Sequence, residues 1–293
     1  LKVKSLKIHV LLDDYSGYEK RGVIGQHGLS ILIKTIDNAG REHSILFDTG
    51  QTAHAILKNL SLFNLSLKDV KVIALSHRHY DHTGGLLDIL EKEIRNKVPI
   101  ISHSDLFKPS IHISEKRISL NVGAPFTRDQ IANAGGQLIL LRNYLEISPG
   151  VYWLGEIPRL SNFGGLPENF YTIEGDELVK DKLLDDTGLA VNVDGLGLVV
   201  ISGCSHSGII NMVQYASKIV KTNPYAVLGG FHLVNSKKEE IEYTAKALKE
   251  LRIKKVFAGH CTGLKAECAL LQKFGENFEK IHSGFSIEFK SHK

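Results

Sequence analysis

The chain has 293 residues, 43% of them hydrophobic and 23% charged, with a formal net charge of +4. This is the balance of a core-forming globular protein, without the dense Lys/Arg stripe of a nucleic-acid binder and without the run of ~20 apolar residues that a membrane helix needs. Three cysteines, Cys204, Cys261 and Cys268, are too few for a disulfide framework, and the N-terminus lacks the pattern of a secretory signal, so the expected setting is reduced and cytoplasmic.

Alternating apolar residues over Lys4 to Val10 predict a first strand. Leu29 to Ile36 and Ser44 to Phe47, separated by Asn38-Ala39-Gly40, predict a hairpin. Ala53 to Leu60 has helical spacing, and Val70 to Leu75 is a short apolar run that reads as a buried strand. After Gly84-Gly85, the pattern Leu86, Leu87, Ile89, Leu90 predicts an amphipathic helix. Pro99 to Ile101 reads as a strand, Ser110 to Val122 alternates, Thr127 to Ala134 reads as a short helix, and Gln137 to Leu141 follows it. Gly150 to Leu154 reads as a strand, and Glu156 to Asn169 as a long loop. Leu189 to Val193 and Leu198 to Ile201 flank Asp194-Gly195, a hairpin signal. Helices are then expected over Ile209 to Val220, Lys237 to Leu251 and Cys261 to Phe274, the last placing Cys261 and Cys268 on one packed helix. Strands are expected at Ala226 to Leu228, Lys255 to Ala258 and Ser286 to Phe289. Without repeats or low-complexity linkers, the economical reading is one domain, 1–293, with sheets covered by helices.

The chemistry concentrates in His77-Arg78-His79-Tyr80-Asp81-His82, directly after the buried strand. In an extended segment, residues two apart point to the same side, so one ion can take both His77 and His79. A turn toward the glycine pair then re-aims Asp81 and His82, toward a neighbouring ion or a supporting role. Imidazole nitrogen and carboxylate oxygen suit zinc first, and also manganese, iron or nickel.

The segment Ser76 to Gly85 resembles the His-x-His-x-Asp-His signature of the metallo-β-lactamase superfamily. Phe47-Asp48-Thr49-Gly50 resembles that family's preceding strand end, and Gly259-His260 its late strand-end histidine. Gln26-His27-Gly28-Leu29-Ser30, Gly203-Cys204-Ser205-His206-Ser207-Gly208 and Gly229-Gly230-Phe231-His232-Leu233 resemble the branch of dihydropterin-methyl-ribofuranosyl-aminobenzene-phosphate synthase and its hydrolase-like members.

The resemblance implies a four-layer αβ/βα sandwich with one or two divalent metal ions, zinc foremost, at one edge of the sheets. It assigns His77 and His79 to a first ion, with His206 as their third partner, and Asp81, His82 and His260 to a second. Asp81 would also orient the attacking oxygen, and Asp48 would orient a metal-bound imidazole. His27 and His232 would either meet substrate or serve the fold. The family's bridging strand-end aspartate is replaced by Cys204, which either ligates as a thiolate or is a small packed residue.

The implied activity is metal-assisted hydrolysis of a small anionic, phosphorylated metabolite. Alternatives are a pterin-pathway condensation with a phosphoribosyl-aminobenzene compound, or a metal-containing protein that binds a ligand without turning it over. Arg21, Arg117 and Arg159 are candidates for an anionic substrate group. An iron redox enzyme is disfavoured by Arg78, which stands where that class carries an acidic residue.

Overall fold

The computed structural model describes every residue except 19, 115–116, 120, 162–168 and 292–293, and gives no side chains for 114–120. The first half of the chain forms β1 (Val3–Leu12), β2 (Ser30–Asp37), β3 (Glu42–Phe47), α1 (Ala53–Phe63), β4 (Val70–Ala74), α2 (Tyr80–Thr83), α3 (Leu86–Ile89) and β5 (Val98–His103). Next come β6 (Ile111–Ser114), β7 (Arg117–Ser119), α4 (Arg128–Asn133), β8 (Gly136–Leu141), β9 (Leu145–Ser148), β10 (Val151–Trp153), β11 (Phe170–Glu174) and β12 (Glu177–Lys180). The second half forms β13 (Gly188–Val193), β14 (Gly197–Ser202), α5 (Ile209–Val220), β15 (Pro224–Gly230), α6 (Lys238–Glu250), β16 (Lys255–Gly259), α7 (Leu264–Phe274), β17 (Phe278–Lys280) and β18 (Ser286–Lys290).

The main strands follow the order β17-β16-β15-β14-β13-β1-β2-β3-β4-β5-β8. The two halves of this path are joined where β1 meets β13 in parallel, at Val3 and Val193. Side-chain alternation turns the halves into layers. Val3, Leu6 and Ile8 of β1, Ile31 and Ile33 of β2, Leu189 and Val191 of β13, and Val199 and Ile201 of β14 share one central core. The intervening residues face outward to helices. Leu32 and Leu46 pack with Ile56 and Leu60 of α1 and with Leu86 and Ile89 of α3. Ala190, Val200 and Val227 pack with Met212 of α5, Leu248 of α6 and Leu270 of α7. Helix, sheet, sheet, helix is the four-layer αβ/βα sandwich.

Most of the expected elements stand, including the β2–β3 and β13–β14 hairpins and the closing β18, which pairs with β1. The helix after Gly85 is shorter than its pattern implies: α3 ends at Ile89 and continues as a π turn to Ile94. The last helix also starts late. Cys261 lies in a 3₁₀ turn, His260–Thr262, and α7 begins at Leu264, so Cys261 and Cys268 do not share a helix and Cys268 is exposed. Of the expected Glu156 to Asn169 loop, 162–168 lie outside the described residues. Beyond it, β11 and β12 join β6 and β7 in a separate four-stranded sheet, order β12-β11-β6-β7, that the sequence reading did not anticipate.

Strand direction places the site. β3, β4 and β5 run parallel, and so do β14, β15 and β16. The C-terminal ends of β3, β4, β14, β15 and β16 therefore deliver Asp48, His77, Cys204, His232 and His260 to one edge of the sandwich.

Candidate metal centre

Asp48 leaves β3 fully buried and accepts three hydrogen bonds, from Ser76 N (2.7 Å), Ser76 Oγ (2.6 Å) and His82 Nδ1 (2.7 Å). On the other side, Asp14 Oδ1 accepts from His260 Nδ1 at 2.8 Å. Both imidazoles thus commit their Nδ1 protons to carboxylates and present Nε2 lone pairs to the centre. The two Nε2 atoms stand 3.1 Å apart, each 3.2 Å from Cys204 Sγ and 3.5 Å from Asp81 Oδ2.

Lone pairs that close repel unless a cation or a proton lies between them. Ligands held ~2.0–2.3 Å from a tetrahedral zinc lie roughly 3.3–3.8 Å from one another. Asp81, His82, Cys204 and His260 are near that spacing, and the donor set fits a divalent cation. With no cation, a proton takes the place: burial works against a charged His260, but the Cys261 thiolate and the Asp14 and Asp81 carboxylates hold its pKa well above the usual histidine value.

A second donor group adjoins the first. His77 Nε2 lies 3.1 Å from His79 Nδ1, while His77 Nδ1 contacts Ser76 Oγ at 2.9 Å. The His206 ring stands 4.9 Å from that of His77 and 5.1 Å from that of His79. His206 is buried with neither ring nitrogen hydrogen-bonded, and His79 Nε2 is likewise without a partner. Such orphaned atoms are costly unless something binds them. Desolvation keeps these rings neutral, pushing His77 and His206 well below the usual value and His79 to about 4, which is the ligating form. Cys204 Sγ is within reach of both groups.

Polar contacts invisible in the motif hold this geometry. Arg78, between the two histidines, is buried against Asp181 and Asp185, and its N–H donates to Asp185 Oδ2 at 2.8 Å. Asp186 Oδ2 accepts from Ser207 N (2.9 Å) and Ser207 Oγ (2.6 Å), next to His206, while Thr187 N donates to Ser76 O. Residues 181–187 thus tie the His77–His79 segment to the His206 turn. At the mouth, His27 spans Asp14 Oδ2 (3.1 Å) and Asp81 Oδ2 (3.4 Å). Gly28 permits that approach: its φ is +127°, and a Cβ would fall 2.2 Å from Asp81 O. Four non-glycine residues at these strand ends also take left-handed backbone: Asp48 (φ 58°), Ser205 (60°), His232 (49°) and His260 (48°).

The groups open on a cavity of about 460 Å³. Its wall includes Phe170, stacked on the His79 ring at 4.8 Å and 24°, and His112, 5.0 Å from Phe170. Both come from the small sheet.

Comparison with known proteins gives this arrangement a family. The Metallo-beta-lactamase superfamily model matches residues 24–216. The chain belongs to the metallo-β-lactamase superfamily. It is 41% identical, over 98% of each chain, to the 7,8-dihydropterin-6-methyl-4-(beta-D-ribofuranosyl)-aminobenzene-5'-phosphate synthase of Methanocaldococcus jannaschii. Among solved structures it is similar to Tm1679, described as a metal-dependent hydrolase of the beta-lactamase superfamily, with 30% identity and a TM-score of 0.79 over 97% of this chain and 99% of that one. YhfI of Bacillus subtilis, at 14% identity and a TM-score of 0.54 over 98% of this chain and 100% of the other, shares the fold.

At this edge of the sandwich all ten sequence-selected residues come together: Asp48, His77, His79, Asp81, His82, Cys204, His206, His260, and at the margin His27 and His232. Of the arginine candidates, Arg159 is half-buried, donates to Leu183 O, and stands near enough to His206 that its charge adds to burial in pushing that imidazole's pKa down. Arg21 is exposed, and the Arg117 side chain lies outside the described residues. The reading missed Asp14, Asp185, Asp186, His112, Phe170 and Cys261. Of these, only Cys261, next to Gly259-His260, carried a sequence signal, and it was assigned to a packed helix instead. No helix among the described residues is long and apolar enough to cross a membrane.

Proposed function

We propose that the chain is a metal-dependent synthase of the kind that the name of its Methanocaldococcus jannaschii relative implies for that protein: the nucleophilic phosphoribosyl-aminobenzene compound displaces a phosphate-type leaving group from the 6-methyl carbon of a dihydropterin and gives up a proton. The observation that carries this reading is the aromatic wall. Phe170 lies over His79, a candidate ligand, so a flat heterocycle has a stacking surface beside the charged centre. The cavity, about 460 Å³, is within the range of small-molecule sites. The end-to-end likeness to the relative supports the same conclusion.

In this proposal His77, His79 and His206 hold one ion, and Asp81, His82, Cys204 and His260 hold another. Bound divalent metal, zinc foremost, supplies positive charge and Lewis acidity for the anionic, phosphorylated end of the substrate. The chain's own residues prepare that chemistry. Asp48 and Asp14 fix the tautomers of His82 and His260. Asp81 holds an acceptor oxygen at the centre and orients the incoming group. His27, half-exposed between Asp14 and Asp81, can give or take a proton at the mouth.

Hydrolysis of a small anionic metabolite is the second reading, favoured by that solvent-facing histidine and by the similarity to Tm1679. Incubating metal-loaded protein with the dihydropterin and aminobenzene reactants, and following condensed product by mass spectrometry, separates the two. Product formation that depends on both reactants is expected. Phosphoester cleavage without condensation would replace the first reading by the second. Tight binding with neither reaction would make the chain a ligand-binding protein.

A further inference from the structure

The strand ends of the second half assemble a donor group with two members, His232 and Cys261, that the two-ion reading does not use. Cys204, His232 and Cys261 bring one ligand atom each within 4.8 Å of one another. They arrive from three places: the turn after β14, the turn after β15, and the 3₁₀ turn after β16. Cys261 Sγ lies 3.5 Å from Cys204 O, and Cys261 lines the same cavity as the two histidine groups. The His232 ring packs 4.1 Å from that of His206. Nδ1 of His232 and both ring nitrogens of the buried His206 have no hydrogen-bond partner. The corner thus combines two cysteine sulfurs with the imidazole of His232, whose Nδ1 has no partner. Its three members include no carboxylate, which separates it chemically from the Asp81 group.

We propose that Cys204, His232 and Cys261 form a thiophilic cation subsite at the back of the cavity. Two sulfurs and one imidazole are a soft set that selects zinc, cadmium or a comparable ion over magnesium, calcium or manganese. Three protein donors leave a fourth position of a tetrahedral ion for a ligand from the cavity. Cys204 is common to this subsite and to the Asp81–His82–His260 group. An ion here therefore either shares that sulfur as a bridge or competes for it, and occupancy of the two positions is coupled.

The probe is cadmium(II), added to metal-free protein and followed by thiolate-to-cadmium charge-transfer absorption. C261S should remove about half of the band, because one of two sulfurs is lost, and C268S, at an exposed position of α7, should leave it unchanged. H232A should weaken cadmium binding by about tenfold or more. The double variant H82A/H260A should keep the band, which separates this subsite from the Cys204-containing position of the proposed enzyme. A full-strength band and unchanged stoichiometry in folded C261S would overturn the proposal. If C261S fails to fold, X-ray absorption on wild-type protein with one equivalent of cadmium decides instead. Two sulfur scatterers per ion are expected, and one or none overturns it.

Discussion

The two halves of the sandwich supply the site in contrasting ways. The first half spends a single segment: within the six residues 77–82, just beyond β4, His77, His79, Asp81 and His82 all reach the centre. The second half contributes from three separate strand ends, with Cys204 and His206 after β14, His232 after β15, and His260 and Cys261 after β16. In the first half local geometry does the gathering, through the period of two and then the short α2 turn. In the second half the register of parallel strands does it, and no donor near one strand end implies a donor near the next. The first half should therefore depend on its local supports, and the second on contacts that cross between layers.

The sharpest way to break that contrast is at Asp48, the local support. Asp48→Ala strands a buried Ser76 N–H and the His82 imidazole. It should cost about 3–5 kcal/mol, read from urea unfolding of the metal-free chain. A loss under about 1 kcal/mol would mean that the β3–β4 strand ends hold His82 without it.

Next come the donors themselves. H79A and H260A should each leave about one ion fewer per chain while the fold persists, measured by elemental analysis alongside circular dichroism. Unchanged metal in both would remove the assignment of either half. Asp14→Ala tests the cross-layer support. Asp14 is partly exposed but holds His260 Nδ1 at 2.8 Å, so metal affinity should fall about 10–100-fold with little change in stability. Equal affinity would show that strand register alone orients His260.

The smallest effect lies away from the centre, on β1. Burial, then Lys7 and Lys34, hold the His9 pKa down to about 4 from 6.5. The unfolded chain binds that proton below about pH 6.5 and the folded chain does not, so the stability associated with neutral His9 is present above 6.5 and is lost as the pH falls toward 4. His9→Gln should flatten the acid-unfolding profile modestly in that window, because the ring is only partly buried. An identical profile would mean that the acid limb belongs to other groups.

What could be read from the sequence follows the same division. The His77–His82 run and the β2–β3 and β13–β14 hairpins follow from short-range pattern, and the structure keeps them. His206 and His260 were identified by family resemblance, since their spacing in the chain says nothing about one another. Asp14 and Asp186 carried no signal at all: a carboxylate that meets its histidine or serine across a turn has no partner nearby in sequence. The small sheet was missed for another reason. Gly175-Asp176 is a legible hairpin turn between β11 and β12, but the burial pattern of those strands is too shallow to announce them. Cys261 was misplaced because helical spacing beyond it extends backward through Gly263, whose φ of 79° ends that register.

The left-handed residues at the strand ends carry a wider consequence. Asp48, Ser205, His232 and His260 each sit where glycine would be more comfortable, a discomfort of roughly 1–2 kcal/mol per residue for a side chain with a β-carbon. Asp48 offsets that strain through the hydrogen bonds it accepts from Ser76 and His82, whereas His232, whose Nδ1 has no partner, gains nothing comparable. Breeding the protein for heat resistance alone would keep the Asp48 carboxylate and erase the His232 imidazole early.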